Sequence, residues 1–165
     1  MTQAHQAWQR TAPELKHQVL ESACQNNKKL YRLILERAAT ALKTRLPKLL
    51  EEPRKERHAR LAAILGSPPF DAMTHNLFSD WLLHQEQKMM VAFLNSLGIE
   101  HDGAGCAEQF PEDPDPEKLK KAVERLYQQF DEEKVTLYLT LFEAVAGCHW
   151  PQLETLIRCE VATFV

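Results

Sequence analysis

The segment LFSDWLLHQEQKMMVAFLNSLG, residues 77–98, decides the fold. Large apolar residues recur at helical spacing in its first half, and residues 89–97 are apolar on nearly every side. A helix that is apolar all round must be enclosed by other elements. Gly98 then supplies a favourable helix C-cap. The segment therefore predicts a central helix, beginning at Asp71 or Thr74, with the other helices packed around it.

Outward from this segment, apolar residues keep a helical period and no stretch alternates as a half-buried strand does. The predicted helices cover 13–26, 28–46 and 54–65 before the central helix, and 116–130, 132–146 and the residues from 150 onward after it. Asn26-Asn27 is either a break between the first two helices or a weak point in one longer helix. The fold class is all-α, an irregular bundle or a short stack of helical hairpins with about six to seven helices. No internal repeat period is present, which favours the bundle.

The length of 165 residues and a hydrophobic content of 44% fit one helical domain, expected over 12–165. Residues 1–11 are polar and glutamine-rich and are expected to form a flexible tail. The sequence has no apolar signal-peptide core and no run of about 20 apolar residues. The four cysteines form no CxxC pair, which favours reduced thiols. We interpret the protein as cytoplasmic.

Charge is unevenly distributed along the chain. Residues 1–82 carry 13 Lys and Arg against 8 Asp and Glu, and residues 83–165 carry 7 against 15. The basic charge is densest at 28–60, with 11 basic and 4 acidic residues. These charges are interpreted as solvated helix faces, as a surface for an acidic partner, or as faces attracted to each other within one fold or across a dimer. The candidate binding residues there are Arg32, Lys43, Arg54, Lys55, Arg57 and Arg60.

The loop at 98–116 is rich in glycine and acidic residues, and holds three of the five glycines. It offers His101, Asp102 and Cys106, but its spacing fits no zinc pattern, EF-hand or dinucleotide fingerprint. The sequence therefore predicts no metal and no cofactor, and the loop is interpreted as an Asp-Gly turn with solvated neighbours. Cys106 is the candidate reactive thiol because it is the cysteine expected to be exposed.

An enzyme or a small-molecule-binding protein is the alternative, with a pocket between the helix 77–97 and the loop 98–116. The low-ranking catalytic candidates are His84 and His101 as proton-transfer groups, with Asp80 and Asp102 as their orienting partners. No nucleophile elbow is present, and the H-x-E spacing of His84 and Glu86 lacks the P-C-x-x-C partner of zinc deaminases.

The favoured hypothesis is a small protein–protein interaction or self-associating module without catalysis. The apolar C-terminal residues Phe164 and Val165 are further candidates for a partner or subunit interface. Nucleic-acid association through 28–60 is a second alternative. It is disfavoured because few aromatic residues accompany the charges and the chain is acidic overall.

Overall fold

A computed structural model describes residues 3–157, and this part of the chain contains ten α-helices, one 3-10 turn at Pro68–Phe70 and no strand. The all-α prediction is confirmed. The helices are α1 Ala4–Arg10, α2 Pro13–Asn26, α3 Lys28–Ala41, α4 Leu46–Glu51, α5 Arg54–Leu65, α6 Asp71–Gln85, α7 Gln87–Leu97, α8 Pro116–Gln129, α9 Glu132–Ala146 and α10 Pro151–Leu156. Their number exceeds the six or seven predicted because of α1, α4 and a break in the central segment.

The described residues form two compact units, 3–85 with α1–α6 and 86–157 with α7–α10. The interpretation of 12–165 as one domain stays a prediction. None of the helices within residues 3–157 has the length and apolar character needed to cross a bilayer.

The first unit begins with α1, where the sequence predicted a flexible tail. Trp8 is fully buried, its Nε1 donates a hydrogen bond to the carbonyl oxygen of Ala62 at 2.8 Å, and its ring lies 5.3 Å from that of Phe78. The backbone N–H of His5 donates to Oδ1 of Asp71 at 2.9 Å. Ala4, Ala7 and Trp8 form the buried side of α1, and its contacts with α5 and α6 explain why the segment is ordered.

Helix α2 lies at the centre of this unit and packs against α3, α5 and α6. The packed faces are apolar and fully or almost fully buried, through Val19, Leu20, Ala23, Leu61, Leu65, Leu77 and Phe78. Burying each large aliphatic or aromatic side chain contributes about 1.5–3 kcal/mol. The core of the unit is therefore built from one face of each of these helices.

Asn27 separates α2 from α3, at one of the two positions where the sequence allowed a break. Its side-chain oxygen accepts a hydrogen bond from the N–H of Leu30 at 3.1 Å, which caps α3. Its Nδ2 donates to Oδ1 of Asp80 at 2.7 Å, and Asp80 is buried on α6. One side chain thus begins a helix and donates to one oxygen of a buried carboxylate, whose Oδ2 has no hydrogen-bond partner among the described residues.

The second unit begins at Glu86, where the predicted central helix is interrupted. Glu86 has φ −123° and ψ 26°, outside helical values, and its carboxylate lies 2.8 Å from Nζ of Lys134. Helix α7 packs against α8, and the Phe93 ring makes edge-on contacts with Tyr138 and Phe142 of α9. The prediction of one continuous helix from 71 or 74 to 97 is therefore wrong, because a charged pair holds Glu86 between two helices.

We expect Asn27→Ala to lower the free energy of unfolding by about 2–4 kcal/mol. The loss of an N-cap costs about 1 kcal/mol, and a buried acceptor left without its donor costs about 1–3 kcal/mol. Urea denaturation followed by far-ultraviolet circular dichroism measures the change. Asn26→Ala, at the exposed last residue of α2, is the control and should change stability by less than about 0.5 kcal/mol. Equal losses in the two variants would contradict the assigned role of Asn27.

Candidate functional site

The loop at 98–116 is closed by hydrogen bonds within itself. Oδ1 of Asp102 accepts hydrogen bonds from the backbone N–H groups of Ala104 at 2.8 Å and Cys106 at 3.1 Å. These bonds hold the pKa of Asp102 below its ordinary value, since they favour the ionised carboxylate. The N–H of Asp102 donates in turn to the carbonyl oxygen of Cys106 at 2.9 Å. The Asp102 carboxylate therefore serves the turn.

His101 also has both ring nitrogens engaged near its own position in the chain. Its Nδ1 accepts from the N–H of Gly103 at 3.0 Å, and its Nε2 donates to Oδ1 of Asn95 at 2.8 Å. An open cleft of about 760 Å³ runs along the loop, lined by residues between Leu97 and Pro111. His101 and Asp102 both line this cleft, but their hydrogen bonds go to other groups. The predicted acid–base pairing of these two side chains is not formed.

Cys106 is exposed, whereas Cys24 and Cys148 are partly covered, and all three are free thiols. Partial burial, followed by the neighbouring Asp102 carboxylate, raises the pKa of the Cys106 thiol. A raised pKa leaves less thiolate at neutral pH, and the thiolate is the reactive species. Cys106 is thus accessible, as the sequence indicated, but its surroundings do not activate it. Cys159 lies outside the described residues.

Gly105 of the loop packs so closely against α7 that no side chain fits at this position. It has φ 98°, and a Cβ at this position would lie 2.6 Å from Cβ of Met90. Gly103 has a similar φ of 85°, but a Cβ there would have no neighbour within 4 Å. The two glycines therefore share a backbone requirement and differ in packing.

We expect Gly105→Ala to destabilise the protein by about 1–3 kcal/mol more than Gly103→Ala. Both substitutions force a left-handed backbone conformation that costs an L-residue about 1–2 kcal/mol, whereas the clash with Met90 adds an overpacking cost only at position 105. Chemical denaturation of the two variants measures the difference. Equal stabilities would show that the loop does not press on Met90.

The second predicted pair, Asp80 and His84, lies on α6 in the other unit. Nδ1 of His84 lies 2.9 Å from the carbonyl oxygen of Asp80 and 3.5 Å from its Oδ1. The imidazole is about half exposed, and the same Oδ1 already accepts from Asn27. Asp80 and His84 thus make a contact between neighbouring turns of α6, and Asp80 also binds Asn27 at the start of α3. The predicted pocket between 77–97 and 98–116 spans residues of both units, and it stays a prediction.

Four of the predicted binding residues at 28–60 are engaged within their own unit. Arg32 pairs with Glu36, Arg54 with Glu21 and Arg60 with Glu52. Arg57 donates to the Tyr31 hydroxyl at 3.1 Å and to the carbonyl oxygen of Leu50 at 3.0 Å. Arg57 therefore helps to position helices. The candidates Phe164 and Val165 lie outside the described residues.

Other basic side chains of the same region have no acidic partner within residues 3–157. They are all exposed: Lys28, Lys29, Arg37, Lys43, Arg45, Lys48 and Lys55. Helices α3 and α4 pack together, and each exposes a leucine, Leu33 at 45% and Leu50 at 48%. Leu33 lies one helical turn from Lys29 and from Arg37. We name Lys28, Lys29, Leu33, Arg37, Lys48 and Leu50 the basic–leucine face.

A cluster of two histidines and a glutamate forms between α2 and α5. His17 and Glu21 lie one turn apart on α2, and the buried His58 comes from α5. Nδ1 of His58 lies 3.3 Å from Nδ1 of His17 and 3.9 Å from Oε1 of Glu21. Nε2 of His17 lies 3.8 Å from the same Oε1. Three groups able to bind a metal ion thus converge.

Burial is the main reason that the pKa of His58 is lowered from its ordinary value to about 4, with smaller contributions from His17, Arg57 and Arg54. His58 is therefore neutral at neutral pH. Sequence reasoning missed the cluster. The four-residue spacing of His17 and Glu21 was readable on a helix, but His58 lies 41 residues further on, and only the packing of α5 on α2 brings it near.

No family model, curated protein or solved structure matches this chain.

Proposed function

We propose that this protein is a non-catalytic helical interaction module that binds an acidic protein surface through the basic–leucine face. The observation that supports this proposal is the exposure of Leu33 between Lys29 and Arg37 on α3, two cations without an acidic partner in residues 3–157. The helix packed against α3, α4, exposes a second leucine, Leu50. Basic charge steers an acidic partner and selects it, while exposed apolar side chains gain free energy when they leave water.

The exposed leucines favour a protein partner over a nucleic acid. Phosphates bind basic side chains, but an exposed leucine gains little from a phosphate backbone. Leu33 lies between Lys29 and Arg37 on one helical face, so a partner that contacts these cations also covers the leucine. An acidic segment with an apolar residue of its own satisfies both features.

The groups with acid–base potential support the non-catalytic part of the proposal. The Asp102 carboxylate and both His101 ring nitrogens are engaged by the loop and its neighbour Asn95, and Asp80 accepts from Asn27. The free state of Cys24, Cys106 and Cys148 supports a reducing compartment, and we place the protein in the cytoplasm. A second copy is one acidic partner to test, since residues 83–165 carry 15 acidic against 7 basic residues.

The double variant Lys29→Glu, Arg37→Glu should reduce the recovery of acidic partner proteins at least tenfold, because it replaces attraction with repulsion around Leu33. The measurement is quantitative capture by the tag-free, immobilised full chain from nuclease-treated lysate of its source cells. A second variant, Leu33→Ser, should reduce the recovery of the same partners while leaving the charge unchanged. Sedimentation of the wild type at low and high salt identifies a second copy as the partner.

The control is Lys120→Glu, Lys121→Glu, which makes the same charge change at exposed positions on α8. It should recover the same partners as the wild type. The proposal is wrong if both charge reversals reduce recovery equally, if neither does, or if only untreated lysate yields partners. The last result would assign the face to nucleic acid.

A further inference from the structure

The side chains of His17, Glu21 and His58 meet where α2 packs against α5, away from the basic–leucine face in sequence and independent of its proposed role. We propose that they form a binding site for a divalent transition-metal ion, with three protein ligands and the remaining position taken by solvent. Zinc is the representative ion. The inference stands on the ligand set, the spacing of its atoms and the support behind His58.

One ligand atom from each of the three residues lies within 4.8 Å of the other two, which is within reach of one small ion after side-chain adjustment. Bonds of about 2.0–2.1 Å to a tetrahedral zinc ion place neighbouring ligand atoms roughly 3.3–3.4 Å apart. Nδ1 of His58 lies 3.9 Å from Oε1 of Glu21, and the His17 ring approaches both groups, with Nδ1 at 3.3 Å from His58 Nδ1 and Nε2 at 3.8 Å from Glu21 Oε1. Only one nitrogen of His17 can bind the ion, so side-chain rotations must bring the three ligand atoms to the tetrahedral spacing.

His58 is supported from behind, as metal-bound histidines usually are. Its Nε2 lies 2.7 Å from the hydroxyl oxygen of Tyr31, and that oxygen also accepts a hydrogen bond from Nε of Arg57. With an ion on Nδ1, the imidazole carries its proton on Nε2 and donates it to Tyr31. This hydrogen bond fixes the ring so that Nδ1 faces α2.

The three side chains differ in exposure, so the site is open to solvent on one side. The side chain of His58 is 1% exposed, whereas those of Glu21 and His17 are 21% and 41% exposed. Solvent or a small ligand therefore reaches the ion past His17. Two histidines, one carboxylate and an open position are a donor set that transition metals accept.

Two arginines near the cluster limit which metal ions the site can bind. Arg54 lies 3.4 Å from Oε2 of Glu21, the oxygen that does not face the histidines, and Arg57 binds Tyr31. Their positive charge opposes any cation, so binding must come from strong imidazole–metal bonds rather than from charge alone. Zinc, copper and nickel form such bonds, whereas calcium and magnesium prefer several oxygen ligands.

The test is calorimetric titration of the chelator-treated, tag-free full chain with zinc, together with the visible spectrum of the cobalt form. We expect one zinc ion per chain. His17→Gln and Glu21→Gln should each weaken binding at least tenfold, and because both positions are partly exposed these variants should fold. His58→Gln should abolish binding, and circular dichroism shows whether that variant folds.

Replacing one proposed metal ligand by another kind of ligand tests whether His17 binds the ion directly or has only a structural role. His17→Cys should keep cobalt binding and add a thiolate-to-cobalt charge-transfer band, which appears only if residue 17 binds the ion directly. His84→Gln is the matched control, because His84 also lies one turn from a carboxylate but belongs to no group of three metal-binding side chains within residues 3–157. It should bind zinc as the wild type does.

The proposal is overturned by any of three results. These are the absence of zinc binding at millimolar concentration, equal affinity in the wild type, His17→Gln and Glu21→Gln, and a cobalt spectrum of His17→Cys without the thiolate band.

Discussion

The packing of α2 against α5 depends on an imidazole that is buried without charge. His58, Leu61 and Leu65 are the buried residues of α5, so a histidine occupies the first position of that helix's inner face. A charged group at this depth would lose its hydration, and the arginines nearby would oppose it. The neutral ring instead has partners at both nitrogens, the Tyr31 hydroxyl at 2.7 Å and the His17 ring at 3.3 Å. The polar N-terminal half of α5 can therefore join the core.

The neutral burial of His58 distinguishes two groups of basic side chains in the first unit. Arg54 and Arg57, at the start of α5, are held by Glu21, Tyr31 and the carbonyl oxygen of Leu50. Other exposed cations of α3 and α4, Lys28, Lys29, Arg37 and Lys48, have no such partner within the described residues, so they are available to another molecule. The proposed metal site and the proposed docking face therefore use different groups, although both arise from how α2–α5 pack.

Local signals in the sequence predicted many helix ends correctly. Asp115 and Asp131 cap α8 and α9, and each accepts hydrogen bonds from the first turn. Gly98 ends α7 in the left-handed conformation at φ 69°. These features depend on neighbouring residues alone, because a cap needs only its own side chain and the next few N–H groups.

Features that need distant contacts were not predictable in this way. Trp8 is ordered by Ala62 and Phe78, and Glu86 leaves the helix to meet Lys134. The candidate metal site has the same origin, since His58 joins His17 and Glu21 only through tertiary packing. The loop residues were visible in the sequence as a group, but His101 and Asp102 are engaged by the loop and by Asn95.

The most direct measurement is the pH titration of the His58 imidazole by nitrogen-15 NMR in the metal-free full chain. The lowered pKa, about 4, predicts a neutral ring down to about pH 5. The unfolded chain, with an ordinary histidine pKa near 6.5, binds the proton first as pH falls, so His58 should reduce stability between about pH 6.5 and 4. Protonation of His58 near pH 6.5, without loss of structure, would contradict the burial of His58 as a neutral group. It would then also contradict the helix packing on which the proposed metal site and the proposed docking face depend.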